Sequence, residues 1–547
     1  MDERLSDLRG LARRPADKWR RDGWWGRKPL WERIRAVSRQ NPDKPAIIEY
    51  DHVTTYRELW DDACRYGAAM KNAGIAPRDI ILVQLPNWTE FVKIAIAAEL
   101  TRAVFSFCPI QWDERETLRA LRLIRPRIWF TTTSPREGED RSGMFRKVLA
   151  ELGIQAPQLV LMRSVPVDNA KGSAEWLADV NDKKGSTIDG GRGQEPLEIA
   201  VTSGSTGEPK GVLHVHDSAI ATIDSTIERQ GIQSNDIIHV ALPVGHTFGY
   251  FYGMRCALQA GATLLLQHGW NVADAVEIIS ANKATISLGP SAFIIDMIGL
   301  PPEQLKKLSS LWLFTLSGDS LPGPIVRKAA EILPFRISRA LGMTEFGHAL
   351  STDAQMSIDE IADTLGTPQP GMTFRITDET GHVLPAGAVG QIGVSGPFLF
   401  AGYLSEKALN QDVLDADGFF PTGDLGTLDE GGFLRIAGRM KNVIRRGAET
   451  IPVSLLEDVI ASHPDVLHAV VVGVPDTRLG ELPVACVQLK SGKSMTLADL
   501  EALFVDQKIT KKYWPADLHF VESWPIGATG KIDRNLLLQR LARPAAS

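Results

Sequence analysis

Residues 201–212 read Val201-Thr202-Ser203-Gly204-Ser205-Thr206-Gly207-Glu208-Pro209-Lys210-Gly211-Val212. Glycines, small hydroxyl residues and one lysine crowd this stretch. Glycine lets backbone amides approach a ligand closely and adopt turns barred to other residues. Hydroxyls, amides and the Lys210 ammonium are all donors for anionic oxygens. The chemistry implied is the binding of a polyphosphate. A Walker A loop requires G-x-x-x-x-G-K-[ST]. Here Pro209 stands five residues after Gly204, and Gly211 follows Lys210, so that pattern fails. A bare surface turn fits poorly with so dense a run placed directly after the largely apolar Leu197-Glu198-Ile199-Ala200.

Further motifs follow in order. They are Arg339-Ala340-Leu341-Gly342-Met343-Thr344-Glu345, Gly390-Gln391-Ile392 through Gly402-Tyr403, and Pro421-Thr422-Gly423-Asp424. Gly438-Arg439-Met440-Lys441-Asn442 leads on to Gly447 and Pro452, and the last is Trp524-Pro525 through Gly530-Lys531-Ile532-Asp533-Arg534. With these motifs the sequence resembles the adenylate-forming acyl-CoA synthetases, relatives of the luciferases and of peptide-synthetase adenylation domains. Asp22-Gly23-Trp24-Trp25-Gly26 resembles the lead-in of enzymes that activate cyclic acids, so the likeness is greatest to cyclohexanecarboxylate and aryl acid–CoA ligases.

The resemblance implies a two-step ligation that uses ATP, Mg²⁺ and coenzyme A. A carboxylate attacks the α-phosphate of ATP and displaces pyrophosphate; the CoA thiol then takes the acyl group and releases AMP. Two anions must meet in the first step, so the site has to neutralise charge. By resemblance Lys531 bridges the carboxylate and the α-phosphate, Thr344 donates to that phosphate, and Glu345 is the Mg²⁺ carboxylate. Thr202, Ser203, Gly204, Ser205, Thr206, Gly207 and Lys210 hold the phosphates. Asp424 accepts from the ribose hydroxyls with Arg439 nearby, and Gly318, Asp319, Gly342 and Met343 border the nucleotide. Leu341 stands where the family usually has an aromatic residue, which forgoes about 0.5–1.5 kcal/mol of stacking on adenine.

His246, Phe248 and Gly347 fall at positions of the acyl pocket. The aromatics Phe248, Tyr250, Phe251 and Tyr252 suggest a compact, flat, apolar pocket. Thr247 stands where activators of 2-hydroxybenzoates tend to carry Asn, which argues against a salicylate-type acid. The expected substrate is therefore a cyclohexane carboxylate or simple aromatic acid. The alternatives are a medium-chain fatty acid, or a free-standing enzyme that loads a carrier protein. Lys441 lies at the family's hinge, about which the small domain turns between steps, and the 445–449 loop with Gly447 would line the pantetheine tunnel. Pro525-x-x-x-x-Gly530-Lys531 resembles a site modified by lysine acetyltransferases, and acetylation would remove the lysine's charge.

These residues need a scaffold. Thr55-Tyr56-Arg57-Glu58 is a capping box, and its helix is predicted to run to about Gly74, a suitable C′ residue. Asp79–Leu85 reads as a buried strand, Asn87-Trp88-Thr89 opens a helix ending near Arg102, and Ala103–Cys108 is the next strand. This alternation predicts a parallel sheet with helices on its faces. Residues 165–195 read as a polar surface excursion, after which the α/β rhythm returns from Glu198 to about Phe346. Gly, Pro and Thr punctuate short strands over 365–437. Beyond Gly438 come strands over Ala469–Val474 and Ala485–Leu489 and a helix over 497–505. The fold class expected is α/β. A large N-terminal domain spans 1–438, with α/β subdomains to about 364 and a β-rich subdomain over 365–438. A small, mobile α+β domain spans 439–547. A chain of 547 residues also exceeds the roughly 250–300 at which one core stops growing.

Composition excludes several function classes. A formal net charge of −6 argues against binding nucleic acid or an anionic membrane by bulk charge. The four cysteines form no C-x-x-C pair, so neither a zinc site nor a disulfide framework is read from them. No G-x-G-x-x-G follows the first strands, against a dinucleotide-dependent dehydrogenase. No run reaches the ~18 apolar residues of a membrane span, and the first residues lack an apolar signal core. A cytoplasmic monomer or homodimer is expected, with a small carboxylic acid and CoA as its partners.

Overall fold

The computed structural model describes residues 3–5, 14–136, 138–164, 170–178, 189–203, 209–318, 321–405, 409–410, 413–440, 443–446, 449–507, 509–525, 532 and 534–541. Two compact units emerge, residues 1–374 with 394–420, and residues 375–393 with 421–547.

In the first unit, Thr55 caps the helix Tyr56–Asn72 through a capping box with Glu58, and Gly74 follows at φ +81°. The strand Ile80–Gln84 is buried along its whole length, as its apolar sequence requires. It lies between Val104–Phe107 and Ile128–Thr131, parallel to both. The helix Thr89–Thr101 is apolar on nearly all sides and is accordingly enclosed. Its residues join one core cluster with side chains from both nine-stranded sheets found among the described residues.

One sheet carries the phosphate-loop motif. Val104–Phe107 pairs in parallel with Pro196–Ser203, which turns back antiparallel as Pro209–Val215. Gly402–Leu404 lies antiparallel on the outer side of Pro209–Val215. The other sheet carries the Thr344-Glu345 motif. Leu313–Leu316 and Arg336–Met343 run parallel, and Gly347–Ser351 returns antiparallel with a register shift between Leu341 and Gly342.

The 165–195 stretch is not all surface. Its strand Ala170–Gly172 extends the first of these sheets, and Trp176, on the helix Ser173–Leu177, is buried edge-on against Phe130. Trp176, with the partly buried Leu177 beside it, ties this part of the segment to the core. No described helix is long and apolar enough to cross a membrane.

The core also holds charge. Arg255 pairs with Glu99 at 2.6 Å, with 1% and 2% of the two side chains exposed. Glu198 is fully buried beside them; Tyr250 approaches it, yet neither carboxyl oxygen finds a partner in hydrogen-bond geometry. Burial pushes the Glu198 pKa up to about 8, against ~4.3 in an unfolded chain. The native state therefore keeps a proton that the unfolded chain releases. This contribution to stability is complete below about pH 4 and is lost as pH rises towards about 8, at roughly 1.4 kcal/mol per unit. Glu198→Gln is expected to be nearly neutral at pH 4 and to stabilise by a few kcal/mol at pH 8. Denaturant melts of both proteins across that range would show it; a difference independent of pH would contradict it.

The second unit carries most of a four-stranded sheet ordered Thr373–Thr377, Gly390–Ser395, Phe420–Leu428, Leu434–Arg439. A second sheet centres on a long hairpin of Val466–Asp476 and Gly480–Leu489, which contains both strands expected there. The Asp476 carboxylate accepts from the Arg478 and Leu479 amides and closes the turn. The helix Leu497–Asp506 starts at a Thr496 capping box.

Candidate active site

The two ends of the phosphate-loop motif lie on the paired antiparallel strands Pro196–Ser203 and Pro209–Val215. Thr202 pairs with Lys210, and its hydroxyl donates to the Lys210 carbonyl at 3.5 Å. Gly211 is required below the tip, because a Cβ there would lie 2.9 Å from the Ile199 side chain and 3.2 Å from Leu404. Gly204, Ser205, Thr206 and Gly207 lie outside the described residues, as do Asp319, Lys441, Gly447, Lys531 and the Ser203 side chain.

Lys210 extends its ammonium over the ring of Tyr403, 4.8 Å from the centroid. The Tyr403 hydroxyl donates to Glu345 Oε1 at 2.7 Å. Burial and the Glu345 carboxylate together hold the phenol far above its usual pKa, so it stays a donor. Glu345 is half-buried, and its backbone carbonyl accepts from the Phe400 amide at 2.8 Å. Beside it, the Thr344 carbonyl lies 2.7 Å from His214 Nε2, and its hydroxyl lies 3.3 Å from that of Thr247. Burial lowers the His214 pKa to about 4. The ring is therefore neutral, and Nε2 carries the proton it gives to the carbonyl. Lys210, Thr344 and Glu345 thus come together in one cluster within the first unit.

Leu341, Gly342 and Met343 are half-buried on the strand Arg336–Met343. A Cβ at Gly342 would meet the His348 ring at 2.6 Å. Gly318 follows the strand Leu313–Leu316 at φ +96°, a left-handed conformation that suits glycine.

In the second unit Asp424 faces Arg439 across paired strands, with Arg439 Nε 3.0 Å from Asp424 Oδ1. Burial raises the Asp424 pKa, and the guanidinium draws it back down. Only 11% of the aspartate side chain is exposed, against 69% of the arginine's.

The acyl-pocket residues cluster around a π-helix, Phe248–Arg255. Such i→i+5 turns are rare and often occur at functional sites. His246 is exposed at its entrance, although enough protein surrounds the ring to lower its pKa. Its Nδ1 accepts from the Phe248 amide at 3.3 Å. Phe248 is half-buried with its ring 5.5 Å from His348. Behind it Tyr252 stacks on His348, centroids 3.3 Å apart and planes 3° from parallel, and shares a 2.7 Å hydrogen bond with Thr222. Gly347, at φ +59°, is buried under Tyr252 and Thr222, where any Cβ would collide with both hydroxyls. The wider aromatic reading needs correction. Tyr250 belongs to the core, packed on Phe105 and Phe107, and Phe251 is buried edge-on against His214. The helix turns these rings to its far side, which a count along the chain does not register.

Tyr403 and His214 were not singled out in the sequence. Tyr403 was visible as the end of the Gly390–Tyr403 motif; His214 carried no signal beyond its place on the hairpin. The donor set suits Mg²⁺, which takes few protein oxygens and relies on phosphates for the rest. Glu345 offers one anchored carboxylate with the Thr344 hydroxyl next to it in sequence, and no cluster of three His, Cys, Asp or Glu occurs among the described residues.

Residues 34–404 match the AMP-binding enzyme family, and residues 455–531 match the AMP-binding enzyme C-terminal domain. The chain is 28% identical to the medium-chain fatty-acid–CoA ligase of Escherichia coli over 531 residues, covering 96% of this chain and 92% of that one. It is 27% identical to a methyl-dioxo-octahydro-indenyl propanoyl:CoA ligase of Mycobacterium tuberculosis, covering 91% and 96%. Its fold matches ATP-bound MatB from Rhodopseudomonas palustris with a TM-score of 0.80, at 24% identity and covering 94% and 98%. The chain belongs to the AMP-binding enzyme family and is an adenylate-forming ligase, with acyl-CoA ligases among its relatives.

Proposed function

We propose that this enzyme joins a cyclic or aromatic carboxylic acid, with no charge on its ring, to coenzyme A through an acyl-adenylate. The observation that carries the reading is the Lys210–Tyr403–Glu345–Thr344 cluster at the end of the strand pair where Thr202 faces Lys210. Lys210 and the 202–207 amides and hydroxyls bind the leaving phosphates. Thr344 donates to the α-phosphate, and Glu345, held by Tyr403, orients the metal. Bound Mg²⁺ would neutralise charge on the phosphates. Asp424, with Arg439 beside it, accepts from the ribose. Lys531 draws the acid carboxylate and the α-phosphate together; the thiol later enters along the loop of Gly447, with Lys441 at the hinge. Acetylation of Lys531 would silence the first step.

The acid's class rests on the π-helix. Burial lowers the His348 pKa to about 3 and raises that of Tyr252, so both stacked rings are neutral. A ring acid stacks on Phe248 and meets no charge behind it. Phe248→Ala is expected to raise the KM for a ring acid about tenfold. The KM for ATP should be unchanged, and a linear medium-chain acid should be affected far less. Equal losses for ring and linear acids would contradict the assignment. The Escherichia coli relative favours a medium-chain fatty acid as a second reading.

A pyrophosphate-release panel of ring, linear and dicarboxylic acids, run with and without CoA and followed by mass spectrometry of the thioester, decides between them. Ring acids should lead and yield acyl-CoA. A lead by linear acids, or product only with a carrier protein, would overturn the proposal.

A further inference from the structure

Residues 14–27 precede the stretch that matches the family, which begins at residue 34. Even so, their side chains converge on one segment, the turn from Gly396 to Tyr403. Arg14 is buried, and its two terminal nitrogens donate to the carbonyls of Leu399 at 2.8 Å and Phe400 at 2.5 Å. Trp25 is buried too and donates from Nε1 to the Pro397 carbonyl at 2.9 Å. Trp24 packs edge-on against Phe398 at 6.3 Å. The strap is moored at its other side, where the Gly26 amide donates to Asp217 at 2.9 Å.

The turn so gripped is the one that holds Glu345. Phe400 donates its N–H to the Glu345 carbonyl and accepts from Arg14 at its own carbonyl, and Tyr403, three residues on, donates its hydroxyl to the Glu345 carboxylate. Arg14 has no acidic partner among the described residues, and burial alone lowers its pKa to about 10. Burying a guanidinium without a carboxylate is costly. What it provides in return is a planar fork that fixes two successive carbonyls at once, which lysine and neutral side chains cannot do.

We infer that the N-terminal strap is part of the nucleotide site, with Arg14 a positioning residue that sets the Glu345 carboxylate through the Phe400 peptide and Tyr403. The inference rests on the reading of Glu345 as the carboxylate that orients the metal. It predicts that loosening the strap weakens recognition of the ATP–metal complex while leaving the acid subsite intact.

The test is calorimetric binding of ATP, with Mg²⁺ and with chelator, to the full-length wild type, Arg14→Met, Arg14→Lys, Trp25→Phe and Glu345→Gln. Hydrogen exchange at the Phe400 amide is followed in parallel. Arg14→Met is expected to weaken Mg²⁺–ATP binding about tenfold, as loss of buried bonds to a charged donor should. ATP with chelator should change less than about twofold, the Phe400 amide should exchange faster, and the KM for the acid should hold. Arg14→Lys should recover part of the loss, and Trp25→Phe should lose about threefold. Should Arg14→Met not fold, the last two variants carry the test. Wild-type Mg²⁺–ATP affinity in the strap variants, with Glu345→Gln defective, would overturn the inference and reduce the strap to a structural tie. An Mg²⁺-dependent gain in affinity retained by Glu345→Gln would instead overturn the reading of Glu345. Faster Phe400 exchange in the strap variants would then still show the grip.

Discussion

Replacing Lys531 with Ala should lower acid-dependent pyrophosphate release about a thousandfold, while transfer from supplied acyl-AMP to CoA changes by less than about tenfold. The size follows from electrostatics. A carboxylate and an α-phosphate have to come together, and one ammonium about 4 Å away at an effective dielectric near 20 is worth roughly 4 kcal/mol. About 1.4 kcal/mol corresponds to tenfold in rate, so the loss is near a thousandfold. The asymmetry follows from the second step, in which a thiol attacks an already activated carbonyl and no second anion need approach the phosphate. Lys531 closes the stretch that matches the family's C-terminal domain. Separate single-turnover assays of the two half-reactions would measure both numbers. Comparable losses in both would contradict the division of labour.

Arg255→Met should destabilise the first unit by about 3–5 kcal/mol in denaturant melts at pH 7. Glu99 would be left as a carboxylate in the core with its partner gone, whereas Glu198 beside it keeps its proton at pH 7 and needs no counter-charge. Breaking one side of a buried pair is far worse than replacing both. The double variant with Glu99→Gln should therefore recover much of the loss. Arg255 ends the π-helix that begins at Phe248, and Glu198 lies on the strand that enters the phosphate hairpin. The single variant should also weaken binding of both the acid and ATP. Unchanged stability in Arg255→Met would show that the pair contributes little.

Local rules carried much of the fold. The Thr55 capping box, Gly74 and the apolar runs at 80–84 and 104–107 were enough to place helices and parallel strands, because each depends on neighbours in sequence. Lys210 of the 202–211 stretch and the Thr344-Glu345 motif, both singled out by their residue types, likewise come together in one cluster. What failed to show depends on distant pairings. Tyr403 meets Glu345 across 58 positions, His214 meets Thr344 across 130, and Arg14 reaches Phe400 across 386. The aromatic run at 248–252 misled for a related reason. A count along the chain cannot tell which rings a helix turns to the core, and the i→i+5 geometry there has no sequence signature. Nor did Glu198 stand out as a buried acid, since one glutamate within a strand usually faces water.

The most direct test of the account follows oxygen. Acid labelled with ¹⁸O in its carboxylate is turned over with ATP, Mg²⁺ and CoA, and the AMP, pyrophosphate and acyl-CoA are separated and weighed by mass spectrometry. If a carboxylate oxygen bonds to the α-phosphorus as pyrophosphate leaves, and the thiol then breaks the acyl carbon's bond to that oxygen, each AMP carries one ¹⁸O. Pyrophosphate then carries none, and acyl-CoA keeps the other. Unlabelled AMP, or label in pyrophosphate or in orthophosphate, would contradict an acyl-adenylate route.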